Sequence, residues 1–164
     1  RFLAEQLDSI FKQEHANTLL YISDDGSTDN TLTILEKYQA LWGADRFFII
    51  DGPQQGFANN FLSLINNPNI QADYYALSDQ DDIFMKNKYS HAINQIKTFS
   101  SDCYSSSVRV LNNKKSTITL RQSSNFTKYD FLFEGAGQGC TFVMTSSFFI
   151  SLKAFIKSNY NFCF

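Results

Sequence analysis

Apolar positions recur along this chain with two spacings, and the spacing alternates from one segment to the next. Leu3, Leu7 and Ile10 are spaced as on one face of a helix, which predicts an amphipathic helix over residues 2–13. Short apolar runs predict strands at residues 19–23, 47–50 and 74–77. Helical patterns follow these strands at residues 32–41, 57–65 and 86–99. This alternation indicates βαβ units, and therefore an α/β fold with a mostly parallel sheet flanked by helices.

The pattern changes after Ser100. The remaining predicted segments are a strand at 104–111, a polar loop at 112–125, strands at 126–133 and 141–144 around a glycine-rich turn at 135–139, and a helix at 146–158. No internal repeat and no linker interrupts the chain, so the sequence predicts one domain.

Composition narrows the class of protein. Hydrophobic residues make up 43% of the 164 residues, which is typical of a globular chain with a core. The formal net charge is -2 and no basic stripe occurs, so we expect no nucleic-acid partner. The three cysteines, Cys103, Cys140 and Cys163, form no C-x-x-C pair, which argues against a disulfide framework or a zinc site and favours a reducing compartment.

The two ends of the sequence suggest a piece of a longer protein. The chain begins with Arg1 inside a helical pattern and stops on the apolar residues 160–164. We therefore interpret it as a fold that is incomplete at both ends. It carries no signal peptide and no run of about 18 apolar residues, so we expect a cytoplasmic location.

Carboxylates follow two of the predicted strands. Asp24 and Asp25 end the first strand, and Asp79, Asp81 and Asp82 follow the third. In an open parallel sheet ligands bind at the carboxyl ends of the strands, where these side chains would converge and repel one another without a cation. Mg²⁺ prefers oxygen ligands and usually combines one or two carboxylates with substrate phosphates. The sequence therefore predicts a site for a metal-bound diphosphate.

A structural role is the alternative for each acidic residue. Asp after a strand is a common turn or cap residue, and for Asp24 alone that role is favoured. Asp29 is predicted in the first turn of the next helix, where its charge suits the helix dipole. For the D-Q-D-D run a solvated loop is the weaker explanation, because the run directly follows an apolar strand.

The two acidic motifs together resemble a known family. Asp24–Thr31 (DDGSTDNT), followed some fifty residues later by Ser78–Asp82 (SDQDD), resembles the inverting glycosyltransferases of family 2, which have the Rossmann-like glycosyltransferase-A fold. The stretch Glu5–Ile10 and the spacing of Gly52, Gly56 and Asn60 sharpen the resemblance. Together these features are most similar to bacterial rhamnosyltransferase-type members, which build surface polysaccharides. The motifs are specific as a pair and weak apart.

The resemblance implies roles for the acidic residues. Asp24 and Asp25 match the pair that contacts the base and ribose of the nucleotide. Asp79 and Asp81 match the D-x-D motif, in which Asp81 would hold Mg²⁺ or Mn²⁺ against the diphosphate. Asp82 extends the motif and would contact the metal or the sugar.

Other positions match the family with stronger structural alternatives. Gly56 and Asn60 match the segment that lines the donor pocket, although a loop glycine and a helix-packing amide explain them too. Gly137 and Gly139 match a turn on the acceptor side, or serve turn geometry alone. Lys88 matches a lysine in the helix after the D-x-D motif, and a solvated helix charge is its favoured role.

The function implied by the resemblance is transfer of a sugar, with rhamnose as one candidate, from a dTDP- or UDP-sugar to a hydroxyl of a growing surface glycan. The reaction would be metal-assisted and inverting, and a lipid-linked acceptor would bring peripheral contact with the inner face of the membrane. Residues 1–100 would form the donor half of one partial catalytic domain, and residues 101–164 the start of its acceptor half.

The sequence departs from the family pattern in three ways. Phe84 and Lys86 stand where relatives have Trp and Pro, and the usual first strand would precede Arg1. The general base is expected beyond Phe164, and Glu134 is not assigned to that role. Two alternatives stay open, an inactive nucleotide-sugar-binding fragment and a Mg²⁺-dependent phosphoryl-transfer or signalling domain.

Overall fold

The computed structural model describes residues 2–111, 117–121 and 137–159. The helices are α1 (Leu3–Phe11), α2 (Thr31–Trp42), α3 (Phe57–Asn66), α4 (Lys88–Phe99) and α5 (Ser146–Asn159). The strands are β1 (Leu20–Asp24), β2 (Phe47–Asp51), β3 (Tyr74–Ala76), β4 (Cys103–Tyr104), β5 (Val108–Leu111), β6 (Thr117–Leu120) and β7 (Val143–Thr145). A 3-10 turn covers Gly139–Thr141. The predicted α/β class is confirmed.

Strands β1 and β2 pair in parallel, with Leu20 opposite Phe47 and Asp24 opposite Asp51. Two adjacent parallel strands need a long crossover connection, and α2 supplies it. The register places the carboxyl ends of both strands side by side. The loops that follow the two strands therefore begin next to each other.

One apolar core joins the first half of the chain to the segment that follows the D-Q-D-D motif. Its buried members come from α1, α2, β2 and that segment: Leu7, Ile10, Leu35, Trp42, Phe47 and Phe84. Leu20, Ile22 and Ile49 pack against this cluster from β1 and β2. Phe84 is buried in the same core as Phe47 of β2. The acidic residues just before Phe84 are therefore attached to the core against which β1 and β2 pack.

The second sheet has the strand order β3-β7-β4, and both of its pairings are antiparallel. This differs from the sequence-based expectation that the third strand would join the first two in parallel. Apolar runs predict which segments become strands, but pairing depends on contacts between distant segments. Here β7 forms hydrogen bonds with β3 and β4, so among the described strands only β1 and β2 are parallel.

Two further apolar clusters hold the second half of the molecule. One combines Ile65 of α3, Met144 of β7 and residues of α5. Within it the rings of Tyr75 and Phe149 stack with centroids 3.8 Å apart. The other cluster buries one face of α4 against Val143. The two apolar faces of the β3-β7-β4 layer are thus covered by helices.

Several predicted boundaries change. The strand expected at 104–111 is divided into β4 and β5, and the polar stretch expected as a loop contains β6, which pairs with β5 in a hairpin. The strand expected at 126–133, Glu134 and Gly135 of the expected turn at 135–139 lie outside the described residues. Helix α4 begins at Lys88 instead of Lys86. Across the described part of the chain, no helix has both the length and the apolarity needed to span a bilayer.

Candidate functional site

Asp24 builds a tight turn at the end of β1. Its carboxylate accepts hydrogen bonds from the backbone N–H groups of Gly26 (3.3 Å) and Ser27 (3.0 Å). Its carbonyl oxygen accepts the N–H of Gly52 at 2.7 Å, which joins the ends of β1 and β2. Gly26 has a φ of 93°, a conformation that a residue with a Cβ rarely adopts. The turn role that the sequence favoured for Asp24 is thus present.

Asp25 holds the loop of residues 52–56, here called the clamp loop. Its Oδ1 accepts the N–H of Gln54 at 2.6 Å and its Oδ2 accepts the N–H of Gly56 at 2.9 Å. Gln54 has a φ of 57°, and Gly56 has φ 87° and ψ 167°, a region essentially restricted to glycine. The two carboxylate oxygens of Asp25 therefore fix a loop conformation that is unfavourable for Gln54 and that needs a glycine at position 56.

Asn60 ties helix α3 to the same strand end. Its amide Nδ2 donates to the carbonyl oxygen of Ser23 at 3.0 Å, and the Ser23 hydroxyl donates to its Oδ1. A Cβ on Gly52 would lie 2.6 Å from Asn60 Oδ1, 2.8 Å from Asp25 Oδ1 and 2.9 Å from the carbonyl oxygen of Asp24. Only glycine therefore fits at position 52, where these polar groups meet.

Helix α1 positions the second acidic segment, residues 78–82, here called the acidic loop. The amide of the buried Gln6 donates to Ser78 Oγ at 2.7 Å and to the carbonyl oxygen of Asp79. The Ser9 hydroxyl accepts the N–H of Phe84 at 2.9 Å. One helix therefore fixes the acidic loop at its start and just after its end.

The carboxylates of the acidic loop differ in their surroundings. Partial burial, and then the neighbouring charges of Asp82 and Asp81, raise the pKa of Asp79 above its usual value. The Asp82 carboxylate accepts the N–H of Asp79 at 3.4 Å. Asp81 is exposed, and its carboxylate has no hydrogen bond or ion pair to another described residue. Asp79 is exposed as well, and its hydrogen bonds to described residues use its backbone groups, so the carboxylates of Asp79 and Asp81 are both available to a ligand.

The two acidic segments remain separate groups. No hydrogen bond or ion pair between described residues joins the Asp24–Asp25 pair to the acidic loop, and their strands belong to different sheets. Within the described ranges, no three His, Cys, Asp or Glu side chains are grouped so that they could hold a metal ion. Strand β3 pairs with β7 in a sheet separate from β1 and β2, so one parallel sheet does not carry both segments. Their convergence on one ligand stays a prediction.

The structure differs most clearly from the sequence-based interpretation at Lys88. It was expected as a solvated helix charge, but its side chain is half-buried and its Nζ donates to the carbonyl oxygen of Cys140. Nζ also lies 3.8 Å from the centroid of the Phe84 ring. Burial lowers the pKa of Lys88 to about 8. The amino group lies over the Phe84 ring, which is held in the apolar core.

The glycine turn, residues 137–141, lies against this lysine. Gly137 has a φ of 141°, and Thr141 is buried with its hydroxyl donating to the carbonyl oxygen of Gln138 at 2.7 Å. Burial, followed by the nearby Asp82 carboxylate, raises the pKa of the Cys140 thiol to about 11. Cys140 thus brings the glycine turn next to the acidic loop.

Sequence reasoning missed several residues that build this site: Gln6, Ser9, Ser23, Gly52 and Gln54. Gln6 and Gly52 lie inside stretches that sharpened the family resemblance, so motif spacing was the available signal. Asp29 was placed in the first turn of α2. It lies just before the helix, whose N-cap is Asn30, and its carboxylate accepts the N–H of Thr31 at 3.0 Å.

Comparison with known proteins identifies the class. The sequence profile described as Glycosyl transferase family 2 matches residues 1–158, so the chain belongs to this family. The chain is 37% identical to a dTDP-rhamnosyl transferase, RfbG of Shigella flexneri, over 98% of this chain and 56% of that protein. It is also 37% identical over 86 residues to EpsE of Bacillus subtilis (strain 168), a glycosyltransferase by name, which covers 51% of this chain and 29% of that protein. The chain spans about half, or less, of the length of these relatives.

Proposed function

We propose that this protein transfers a sugar from a nucleotide-diphosphate donor to a hydroxyl group of a growing glycan, with inversion at the anomeric carbon. Membership of family 2 supports the reaction class. Similarity to a dTDP-rhamnosyl transferase favours dTDP-rhamnose as the donor, with a UDP-sugar as the second candidate. The observation that carries the proposal is the clamp loop, which Asp25 holds beside the ends of β1 and β2.

The donor nucleotide is proposed to bind along the clamp loop. Asp24, Asp25 and Asn60 are largely occupied by backbone groups, so their main contribution is to fix the pocket wall. A loop that is already ordered loses little conformational entropy when the nucleotide binds, so less of the binding free energy is used to order it. The resemblance implies direct contacts with the base and ribose. The exposed atoms of these three side chains and the backbone groups of the clamp loop would make them.

Mg²⁺ or Mn²⁺ is proposed to bind at the acidic loop together with the donor diphosphate. Asp81 would hold the ion, with Asp79 or Asp82 as the second carboxylate. These oxygen donors suit a hard divalent ion, and mutual repulsion around Asp79 favours a cation there. A site that needs substrate phosphates as ligands is not complete in the protein alone, which is consistent with the separated carboxylates. When bound, such an ion supplies Lewis-acid stabilisation to the leaving diphosphate.

The acceptor is proposed to approach from the glycine turn. Its hydroxyl oxygen forms a bond to the anomeric carbon while the bond from that carbon to the diphosphate oxygen breaks, and the hydroxyl proton passes to a general base. No described residue is assigned as that base. Gly137 and Gly139 would leave room for the acceptor, since no heavy atom lies within 4 Å of a Cβ built on Gly139. A glycan on a lipid carrier at the cytoplasmic face of the membrane is the proposed acceptor.

The test is calorimetric titration of TDP and UDP into the protein, with and without Mn²⁺, repeated on Asp81→Ala. We expect binding that Mn²⁺ strengthens in the wild type, and loss of only this Mn²⁺-dependent gain in the variant. Asp73→Ala is the matched control, because Asp73 is an exposed aspartate that precedes β3.

The outcomes separate the alternatives. No nucleotide binding by the folded wild type would overturn the proposal. Binding that Mn²⁺ does not change would remove the metal from the proposed reaction.

A further inference from the structure

The hairpin of β5 and β6 has an apolar face that is open to solvent. Val108 lies opposite Leu120, and Val110 lies opposite Ile118, so these four side chains share one face of the hairpin. The exposed fractions are 46% for Val110, 61% for Ile118 and 46% for Leu120. Among the described strands neither β5 nor β6 pairs with a third, and the three apolar clusters of the described residues contain none of the four side chains. Because a two-stranded hairpin alone is only marginally stable in water, this face is suited to a partner.

The stretch of chain that forms the hairpin is cationic. Residues 103–129 contain five of the 14 Lys and Arg residues and none of the 16 Asp and Glu residues, although the whole chain has a formal net charge of -2. Two of these cations belong to the described part of the hairpin, Arg109 in β5 and Arg121 directly after β6, and both are exposed. Strand alternation places Arg109 on the face opposite Val110. The hairpin therefore combines an apolar face with positive charge.

This combination fits the headgroup region of an anionic membrane. There the apolar side chains leave water while the arginines lie near lipid phosphates, and both effects favour binding. The outer edges of a two-stranded hairpin carry unpaired backbone groups, so it would lie among the headgroups and not enter the hydrocarbon core. A second copy of this chain is a poorer partner, because a symmetric contact would bring two cationic hairpins together.

The hairpin leaves the β3-β7-β4 sheet at the end that carries the candidate site. Strand β4 ends at Tyr104 and β3 ends at Ala76, and both residues lie opposite Val143, the first residue of β7. The chain after β4 leads into the hairpin, the chain after β3 leads into the acidic loop, and the glycine turn leads into β7. All three segments therefore meet the sheet at the same end.

We propose that the β5–β6 hairpin docks this protein on an anionic lipid surface, through its apolar face and its two arginines. The inference rests on the proposed function in one respect, since docking would bring the glycine turn towards the surface that holds a lipid-linked acceptor. It goes beyond that function by naming the segment that makes the contact and the lipid charge that it recognises.

The experiment is co-sedimentation with lipid vesicles in the absence of nucleotide and metal. Vesicles of phosphatidylcholine with roughly 30% phosphatidylglycerol are compared with vesicles of phosphatidylcholine alone. We expect the anionic vesicles to bind the protein at least about tenfold more tightly, and this difference to shrink as NaCl is raised. Hydrogen–deuterium exchange with anionic vesicles should slow in residues 108–111 and 117–121, which locates the contact.

The double variant Arg109→Gln/Arg121→Gln tests the charges. It should bind anionic vesicles about twentyfold more weakly, because each arginine near such a surface contributes a factor of about five. The matched control is Lys97→Gln/Lys157→Gln, which removes two exposed charges from α4 and α5 and should bind as the wild type does.

The variant Ile118→Ser tests the apolar face. It should bind anionic vesicles about tenfold more weakly, because less apolar surface leaves water on docking. Leu41→Ser is the control, since Leu41 is 63% exposed but lies in α2. The arginine variant keeps the inference testable if Ile118→Ser does not fold.

The outcomes separate the docking from the proposed function. Absence of binding to anionic vesicles by the folded wild type would overturn the docking, and so would binding that neither hairpin variant weakens more than its control. A dimer in sedimentation velocity that Ile118→Ser abolishes, without vesicle binding, would assign the face to a second copy and also overturn it. Vesicle binding by a protein that binds neither UDP nor TDP would support the docking and overturn the proposed function alone.

Discussion

Asp25→Asn tests how the donor side is built. Asn keeps the shape of Asp but offers one acceptor oxygen in place of two, and its amide group would face a backbone N–H of the clamp loop. A hydrogen bond to a charged acceptor is worth about 1.5–3 kcal/mol, and Asp25 makes two, to Gln54 and Gly56. Because Asp25 is half-buried and not enclosed, we take the lower part of this range, about 1.5 kcal/mol, for the loss of one bond.

The clamp loop has its own conformational cost. A non-glycine residue in a sparsely populated backbone region costs about 1–3 kcal/mol, and Gln54 has a φ of 57°. Loss of one of the two Asp25 hydrogen bonds should therefore allow the clamp loop to leave this conformation. If the ordered loop is the binding-competent form and is close in free energy to the released form, a loss of about 1.5 kcal/mol lowers nucleotide affinity roughly tenfold.

The assay combines calorimetry of UDP or TDP without metal and hydrogen exchange of residues 52–56. Asp25→Asn should bind about tenfold more weakly and exchange faster in the clamp loop, with Asp73→Asn as the control. Unchanged affinity and unchanged exchange would refute the claim that Asp25 orders the clamp loop. Weaker binding with unchanged exchange would indicate instead that Asp25 contacts the nucleotide directly, as the family resemblance implies.

Further substitutions and titrations probe the other contacts. Gly56→Ala should lower the free energy of unfolding by about 1–3 kcal/mol in urea denaturation, because φ 87° with ψ 167° is strained for alanine; an unchanged midpoint would contradict this. Gln6→Ala should cost about 1–3 kcal/mol and reduce the Mn²⁺-dependent part of nucleotide affinity, because it releases Ser78 and Asp79; calorimetry with intact Mn²⁺ dependence would oppose this. Partial burial and Asp82 raise the pKa of Cys140 to about 11, so iodoacetamide should alkylate it at pH 8 roughly a hundredfold more slowly in the folded protein than in urea, as followed by mass spectrometry; equal rates would count against the raised pKa. Burial and Asp8 raise the pKa of Tyr38 to about 12, so its contribution to stability is complete below pH 10, where the unfolded phenol is still protonated, and is lost as the pH rises from 10 towards 12. Between pH 10 and 12 the urea midpoint of Tyr38→Phe should therefore fall less steeply with pH than the midpoint of the wild type. Parallel pH curves for the two proteins would exclude the effect.

Local patterns in the sequence predict the elements well and the sheet poorly. Helices α1 to α5 and strands β1 to β3 lie within a few residues of the predicted segments, because periodicity and turn residues act over short distances. The pairing of β3 with β7 joins Tyr74 to Thr145, and nothing in either short run specifies the other. The hairpin strand β6 was missed because its four exposed residues, Thr117–Leu120, lie within a polar stretch.

The site shows the same division between local and distant information. The sequence places Asp24 and Asp25 at a strand end, and the structure agrees for both. It does not predict that the partners of Asp25 are amides about thirty residues later, or that Lys88 meets a carbonyl group 52 residues away. Such contacts follow from how the core orients helices and loops, so motif reasoning identified the residues but not the bonds they make.

The most direct test of the central claim is an NMR titration of the ¹⁵N-labelled protein with UDP or TDP, followed by Mn²⁺ at a low ratio to protein. The proposed function predicts shifts of backbone amides in the clamp loop on nucleotide addition. Paramagnetic broadening by Mn²⁺ should then be strongest at residues 79–82 and lost in Asp81→Ala. Nucleotide shifts away from the ends of β1 and β2, or broadening that is the same in Asp81→Ala, would contradict the account.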